Sequence, residues 1–206
     1  LENRTFGERE AAPASRRSTK TGSGAYRTEF PKRAKSFLKK EGVDQEFICI
    51  VPGAAWKQKQ LPVDKYNELI DTLNKKFTFK IVLLGSKNDT ICDEIKKDIN
   101  IVNLKDKTSL RMAMSILTIS EHPFGSDTGL LHASEALNTP VSMILGPTSM
   151  ETGASINHPN SKIFEKNNLW CRPCSQNGKR PCIRKEQYCL TGININDIAG
   201  TFQRSC

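Results

Sequence analysis

Short runs of consecutive apolar residues alternate along this chain with longer segments in which apolar residues recur every three or four positions. The apolar runs predict β-strands at residues 47–51, 79–84, 101–104 and 141–145. The periodic segments predict helices at residues 64–77, 89–99, 109–119 and 130–137. Strands that are apolar throughout are typical of a parallel sheet covered by helices on both faces. The pattern therefore predicts an α/β fold with a Rossmann-like parallel sheet.

The first 30 residues lack this pattern, because they are rich in Ser, Thr, Arg, Gly and Ala and contain almost no large apolar side chain. Such a composition predicts a disordered or linker-like tail. Pro31 is expected to open a short basic helix that runs to about residue 40. Residues 31–206 are predicted to form one domain with a real core, which includes a cysteine-rich segment at 170–190.

Charge is distributed unevenly along the chain, whose formal net charge is +9. Residues 1–40 carry 11 Lys or Arg against 4 Glu, and residues 171–189 carry 5 against 1. A basic chain is compatible with nucleic acid, anionic lipid or a phosphorylated substrate. No apolar run approaches the ~20 residues that span a bilayer, and no apolar signal core is seen at the start. We therefore expect a soluble, cytoplasmic protein.

Glycine-bearing turns follow the predicted strands at their carboxyl ends, where parallel α/β sheets bind ligands. These turns are Pro52-Gly53, Gly85-Ser86, Gly125-Ser126 and Gly146-Pro147. The motif GxGxxG is absent after the first strand, which is evidence against a nicotinamide-type dinucleotide fold.

The segment FGSDTGLLH at residues 124–132 places a carboxylate, a hydroxyl and a glycine at the start of a helix. Unpaired N–H groups and the helix macrodipole make such a start a seat for phosphate. Asp127 can cap the helix or accept a sugar hydroxyl, and Gly129 lets a ligand approach the backbone. The same triplet is also typical of an ordinary capped turn. Lys59, after the first strand, can neutralise a phosphate or remain a solvated loop charge.

Taken in order, the motifs PGA, lysine then proline, VLLGS, TSL, SDTGLLHASEAL and GPT resemble those of glycosyltransferase family nine. The best-known members of that family are the lipopolysaccharide heptosyltransferases, and the resemblance covers about residues 34–190. It implies a GT-B enzyme of two Rossmann-like domains, in which this chain is similar to the C-terminal, donor-binding domain. It also implies a nucleotide-diphospho-sugar donor, usually ADP-heptose. The sugar would pass, with inversion and without a metal, to lipopolysaccharide core or a related lipid-linked acceptor.

The resemblance further implies roles for individual residues. The implied donor-binding residues are Lys59, Thr108, Asp127, Thr128, Gly129, Leu130 and His132. Lys59 matches a lysine that contacts the diphosphate, and Thr108 falls where the family contacts adenosine. Asp89 or Asn88 falls near a family glutamate that holds the ribose. His132 could instead be a histidine packed under the loop. Further candidates at the strand ends are Gly53, Gly85, Ser86 and Asp89.

Three departures from the family pattern bear on activity. Leu61 replaces the tryptophan usual before the proline, and Ala54 and Ala55 stand where some heptosyltransferases have phosphate-binding threonines. The family's catalytic base is an acidic residue of the N-terminal domain, which this chain does not match, so its catalytic residues are unknown. We therefore expect weak donor binding and little or no sugar transfer by the chain alone.

The chain contains seven cysteines, of which Cys49 and Cys92 lie in a predicted strand and helix and are expected to be buried. Four others form a cluster: Cys171, Cys174, Cys182 and Cys189. This cluster is compatible with a structural zinc site, with free or redox-active thiols, or with disulfides. The second pair is more widely spaced than in a standard zinc ribbon. No cofactor is expected to be required for catalysis.

Two alternative functions are compatible with the sequence: a basic zinc-ribbon-like module that binds nucleic acid, and a catalytically inert nucleotide-binding domain. Only Trp170 and Tyr188 supply aromatic residues to the cysteine segment, and nothing resembles a groove-reading helix, so no nucleic acid partner is expected. The basic residues Arg172, Lys179 and Arg180 are expected to face a phosphorylated lipid or the anionic inner membrane of a bacterium.

Overall fold

The computed structural model describes residues 23–202, with side chains from residue 30 onward. A single six-stranded parallel sheet forms its centre. The strands are β1 Phe47–Val51, β2 Lys80–Leu83, β3 Ile101–Asn103, β4 Pro123–Ser126, β5 Ser142–Leu145 and β6 Lys162–Glu165. Their order in the sheet is β3-β2-β1-β4-β5-β6. The predicted Rossmann-like α/β sheet is thereby confirmed.

Helices cover both faces of this sheet. They are α1 Ser23–Lys40, α2 Val63–Lys76, α3 Ile91–Glu94, α4 Leu110–Thr118, α5 Gly129–Ala136, α6 Tyr188–Thr191 and α7 Ile195–Ala199. Two short 3₁₀ turns, Lys57–Lys59 and Met150–Thr152, lie in the loops after β1 and β5. None of the described helices is long and apolar enough to cross a membrane.

Alternation along β1 divides the core into two layers. Ile48 and Ile50 point into the layer beneath α2 and α7, whereas Cys49 and Val51 point into the layer beneath α1, α4 and α5. Every residue of β1 is buried, as expected for a central parallel strand. The predicted burial of Cys49 and Cys92 is confirmed.

Strand β1 lies at the point where the strand order reverses. It pairs in register with β2 on one side, through Cys49 and Val82, and with β4 on the other, through Ile50 and Phe124. The loops after β1 and β4 therefore leave the sheet side by side and in opposite senses. Such a switch point opens a crevice at the carboxyl edge of the sheet.

Three features differ from the sequence-based expectations. Helix α1 begins at Ser23, not at Pro31, and runs through the internal proline; residues 1–22 of the predicted tail lie outside the described residues. The helix expected over 89–99 is only α3, because Ile95 adopts an extended backbone and Asn67 binds the N–H of Lys96. Strands β4 and β6 and the helices α6 and α7 were not predicted, and Gly125-Ser126, expected to form a turn, lies within β4.

Candidate functional site

A cleft of about 1020 Å³ opens at the carboxyl edge of the sheet. Its walls come from the loops after β1, β2 and β4, which the strand order brings together. Residues predicted from the strand-end motifs line it, namely Ser86, Asn88, Asp89, Thr128 and Leu130. The volume lies at the upper end of the range typical of small-molecule sites.

Asp127 lies at the junction of β4 and α5 and is 5% exposed. Its Oδ2 lies 2.8 Å from the Nζ of Lys59 and accepts a hydrogen bond from the hydroxyl of Thr148 at 3.0 Å. Its Oδ1 lies 3.2 Å from the Nε2 of His132. The structure therefore brings Lys59, Asp127 and His132 together, and both oxygens of the carboxylate are engaged.

The ionisation of Asp127 follows from these contacts. Burial alone would raise the pKa of its carboxyl group. Hydrogen bonds from His132, Lys59 and Thr148, together with the charge of Lys59, outweigh burial and lower the pKa to about 2. Asp127 is therefore a carboxylate at neutral pH and fixes the Lys59 ammonium next to the start of α5.

The start of α5 has the form that anion binding requires. Thr128 is its N-cap residue, with extended backbone and no side-chain capping bond. Of the two roles considered for Asp127, capping of this helix is not observed, because its oxygens contact Lys59, Thr148 and His132 instead. Leu131 already donates its N–H to the carbonyl of Thr128 at 3.1 Å, so the first turn offers a ligand the N–H groups of Gly129 and Leu130. A Cβ atom built on Gly129 would meet nothing within 4 Å, which agrees with open space at this point.

Gly53 and Gly85 make room for another residue of the site. A Cβ on Gly53 would lie 2.1 Å from Oδ1 of Asp89, and one on Gly85 would lie 2.8 Å from the sulfur of Cys92. Asp89 in turn accepts hydrogen bonds from the N–H and the hydroxyl of Ser86, at 2.6 and 2.7 Å. These glycines therefore place the Asp89 carboxylate at the cleft wall.

Thr108 lies just before helix α4, whose N-cap is Ser109, with Met112 donating its N–H to the Ser109 hydroxyl at 3.3 Å. At this end of α4, the described residue that lines the cleft is Leu110. Thr108 itself does not line it. The contact predicted for Thr108 with adenosine stays a prediction.

The cysteine-rich segment packs against the site, with Cys182 and Gln187 lining the cleft. Its four cysteines line one small cavity, and all four are free thiols. Burial raises the pKa of the Cys174 and Cys189 thiols. Within residues 23–202, no group of three or more His, Cys, Asp or Glu side chains could hold a metal ion. Zinc binding by these cysteines stays a prediction.

Arg172 was predicted to face a phosphorylated lipid or an anionic membrane, but its side chain is turned into the protein. Its side chain is 8% exposed and pairs with Glu165 of β6 at 2.5 Å. It also donates hydrogen bonds to the carbonyl oxygens of Gly146 and Thr148. Periodicity could not have revealed this role, because the contacts join segments far apart in sequence. Thr148 was likewise missed as a site residue, although it belongs to the GPT motif.

A parallel sheet with a lysine, a buried carboxylate and an uncapped helix start at its switch point defines an α/β protein with a ligand crevice at the carboxyl edge of the sheet. The model of glycosyltransferase family 9 (heptosyltransferase) matches residues 13–183. The chain belongs to this family.

Similar proteins agree with this assignment. Lipooligosaccharide heptosyltransferase 2 of Haemophilus ducreyi is 31% identical over 116 residues, which are 52% of this chain and 33% of that protein. The Haemophilus influenzae protein of the same name is 29% identical over 114 residues, with the same coverage. The solved structure of E. coli ADP-heptose lps heptosyltransferase II superposes with a TM-score of 0.63 at 20% identity, over 82% of this chain and 50% of that chain. The chain thus spans about a third of the curated relatives it matches and half of this structure.

Proposed function

We propose that this chain is the donor-binding half of a GT-B heptosyltransferase and that it binds ADP-heptose in the cleft at the carboxyl edge of its sheet. The observation that carries the proposal is the buried Lys59–Asp127 pair, with its 2.8 Å contact, beside the uncapped start of α5. A fixed ammonium and free N–H groups are complementary to a diphosphate. The name of the E. coli neighbour, which includes ADP-heptose, supports the choice of donor.

Lys59 and Asp127 lie beside the cleft, next to its lining residues Gln58 and Thr128, and the residues that line it suit the rest of such a donor. Asp89 and Asn88 line the cleft wall at the end of β2, where a carboxylate can accept ribose hydroxyls. Leu110 and Leu130 supply apolar surface, and Leu110 is 67% exposed. Ala54 and Ala55 line the cleft with methyl groups only. The phosphates would therefore rely on Lys59 and the start of α5.

The chemical step requires more than this chain supplies. We infer that the catalytic base comes from an N-terminal domain, which places an acidic residue across the cleft, and that transfer proceeds with inversion and without a metal. In this scheme Asp127 does not act as the base, because Lys59, Thr148 and His132 occupy its oxygens. The proposed acceptor is lipopolysaccharide core or a related lipid-linked saccharide, as the names of the relatives suggest.

Calorimetric titration with ADP, UDP and GDP tests donor binding. We expect ADP to bind and Lys59→Ala to weaken binding about tenfold or more, the value of a charge-assisted hydrogen bond. Lys65→Ala is the matched control, because Lys65 pairs with Glu68 on helix α2. Failure of all three nucleotides to bind, or equal weakening by both variants, would contradict the proposal.

A transfer assay separates binding from catalysis. We expect the 206-residue chain to bind ADP yet to transfer no heptose from ADP-heptose to a lipid-linked acceptor. Efficient transfer by the chain alone would show that the base lies within it.

A surface of the cysteine-rich segment supports peripheral contact with an anionic membrane. Three large apolar side chains are exposed there, at 79%, 69% and 44%: Trp170, Ile183 and Tyr188. The same segment carries three exposed basic residues, namely Lys179, Arg180 and Lys185. Aromatic rings and basic groups together suit the headgroup region of anionic lipid.

Vesicle sedimentation tests this contact. Replacing Lys179, Arg180 and Lys185 with glutamate should abolish binding to anionic vesicles. The control reverses Lys75 and Lys76, which are exposed at the end of α2. If the triple variant still binds anionic vesicles, the membrane proposal is contradicted.

A further inference from the structure

The cysteine-rich segment, residues 170–190, is anchored to the loop that follows β5. Arg172 donates its Nε–H to the carbonyl of Gly146 at 2.6 Å and an Nη2–H to that of Thr148 at 2.8 Å. The carbonyl of Pro147, between them, accepts the N–H groups of Cys174 and Ser175 at 3.1 and 3.3 Å. The cysteine-rich segment therefore binds three consecutive carbonyl groups of the loop that follows β5.

This anchoring reaches a tight turn that ends at Gly178. The hydroxyl of Ser175 accepts the N–H of Gly178 at 2.9 Å. Gly178 has a φ of +83°, a left-handed conformation that glycine adopts at little cost. The turn is thus held in a fixed position relative to the β5 loop.

Gly178 lies directly on the side chain of Lys59. A Cβ atom at Gly178 would lie 2.4 Å from Cγ and 2.5 Å from Cδ of Lys59, far inside van der Waals contact. The side chain of Lys59 cannot easily move aside, since its ammonium is bound to Asp127 at one end and its backbone belongs to a 3₁₀ turn at the other. Only a hydrogen atom fits at this point.

Two further contacts from the cysteine-rich segment hold the 3₁₀ turn that contains Lys59 and its N-cap Trp56. Gln187 donates its amide N–H to the carbonyl of Gln58 at 2.5 Å. The ammonium of Lys179 lies 5.5 Å from the ring centre of Trp56, a cation–π contact. The stretch of loop just before Lys59 is therefore fixed by residues that lie more than a hundred positions later in the chain.

We propose that Gly178 is a positioning residue for the donor site, where its missing side chain lets the cysteine-rich segment press the stem of Lys59 against Asp127. The role in donor binding rests on the proposed function, whereas the placement of Lys59 does not. On this view the cysteine-rich segment is a structural part of the phosphate-binding site.

Gly178→Ala tests the proposal against a control with the same backbone strain. Gly42 has a φ of +84°, and a Cβ there would meet nothing within 4 Å. Both variants place alanine in the left-handed region, but only Gly178→Ala displaces Lys59. We expect Gly178→Ala to weaken ADP binding about tenfold and Gly42→Ala to leave it unchanged.

Two comparisons, of ADP with adenosine and of the wild type with Lys59→Ala, distinguish a loss of Lys59 positioning from a general loss of structure in Gly178→Ala. Binding of adenosine, which lacks phosphates, should be equal in both glycine variants and the wild type. In a Lys59→Ala background, Gly178→Ala should cause no further loss of ADP binding, because the displaced group is already absent. Equal losses for ADP and adenosine, or additive losses with Lys59→Ala, would overturn the proposal.

A ligand-free measurement distinguishes failure of this proposal from failure of the proposed function. NMR titration of the Asp127 carboxyl carbon should give a pKa near 2 in the wild type and in Gly42→Ala. Displacement of Lys59 should raise that pKa in Gly178→Ala. If the wild type binds no nucleotide but this rise is seen, the donor assignment fails and the positioning role stands. An unchanged pKa in Gly178→Ala would overturn the positioning role.

Discussion

Replacing Asp127 with asparagine removes a buried negative charge while nearly preserving the shape of the side chain. The pKa of Asp127 falls from 3.8 to about 2 on folding, which corresponds to about 2 kcal/mol of stabilisation at neutral pH. The variant also leaves the Lys59 ammonium, 12% exposed, without its carboxylate. Loss of one partner of a buried pair costs about 3–5 kcal/mol. We expect a destabilisation of that size.

Urea unfolding followed by circular dichroism measures this change. The matched control is Asp71→Asn, because Asp71 pairs with Lys96 and its side chain is 56% exposed. An exposed pair contributes less than about 1 kcal/mol. The double variant Lys59→Met with Asp127→Asn should recover part of the loss, since no charge then remains unpaired.

The pH dependence of the same measurement has a definite sign. Because the pKa of Asp127 is depressed in the folded state, its stabilisation is complete above pH 3.8 and is lost as the pH falls towards 2. The difference between wild type and Asp127→Asn should therefore narrow over that range. If Asp127→Asn costs no more than Asp71→Asn at neutral pH, the buried pair does not stabilise the site as argued.

Three further predictions concern other parts of the molecule. Burial and the charge of Lys162 lower the pKa of His122 from 6.5 to about 4. The free energy of unfolding should therefore fall by up to about 3 kcal/mol as the pH falls from 6.5 to 4. His122→Gln should reduce this pH dependence in urea unfolding. Ser109→Ala should cost about 1 kcal/mol by thermal unfolding, because it removes the cap of α4. Iodoacetamide should label Cys171 rapidly but the buried Cys49 only after unfolding; a protected Cys171 in a sample that contains zinc by elemental analysis would favour the zinc hypothesis.

Periodicity was sufficient for β1, α2 and α4 but not for the central strand β4, whose four residues, Pro-Phe-Gly-Ser, contain no apolar run. β1 was predicted at its observed bounds, and α2 and α4 to within about one residue at each end, because their apolar positions follow the periods of strand and helix. β6 was missed because it is a short edge strand with only partly buried residues. The helix over 89–99 was overextended because a contact with Asn67, not local propensity, ends it.

The sequence by itself determined the parallel α/β class and the series of strand-end motifs that holds Lys59 and Asp127, since both follow from local patterns. Only the tertiary structure decided that these two residues form one buried ion pair, because their contact depends on β1 and β4 being neighbours. It also decided the roles of Thr148 and Gly178. Their contacts join loops that are distant in the chain, and such contacts follow from how the loops meet at the sheet edge rather than from local periodicity.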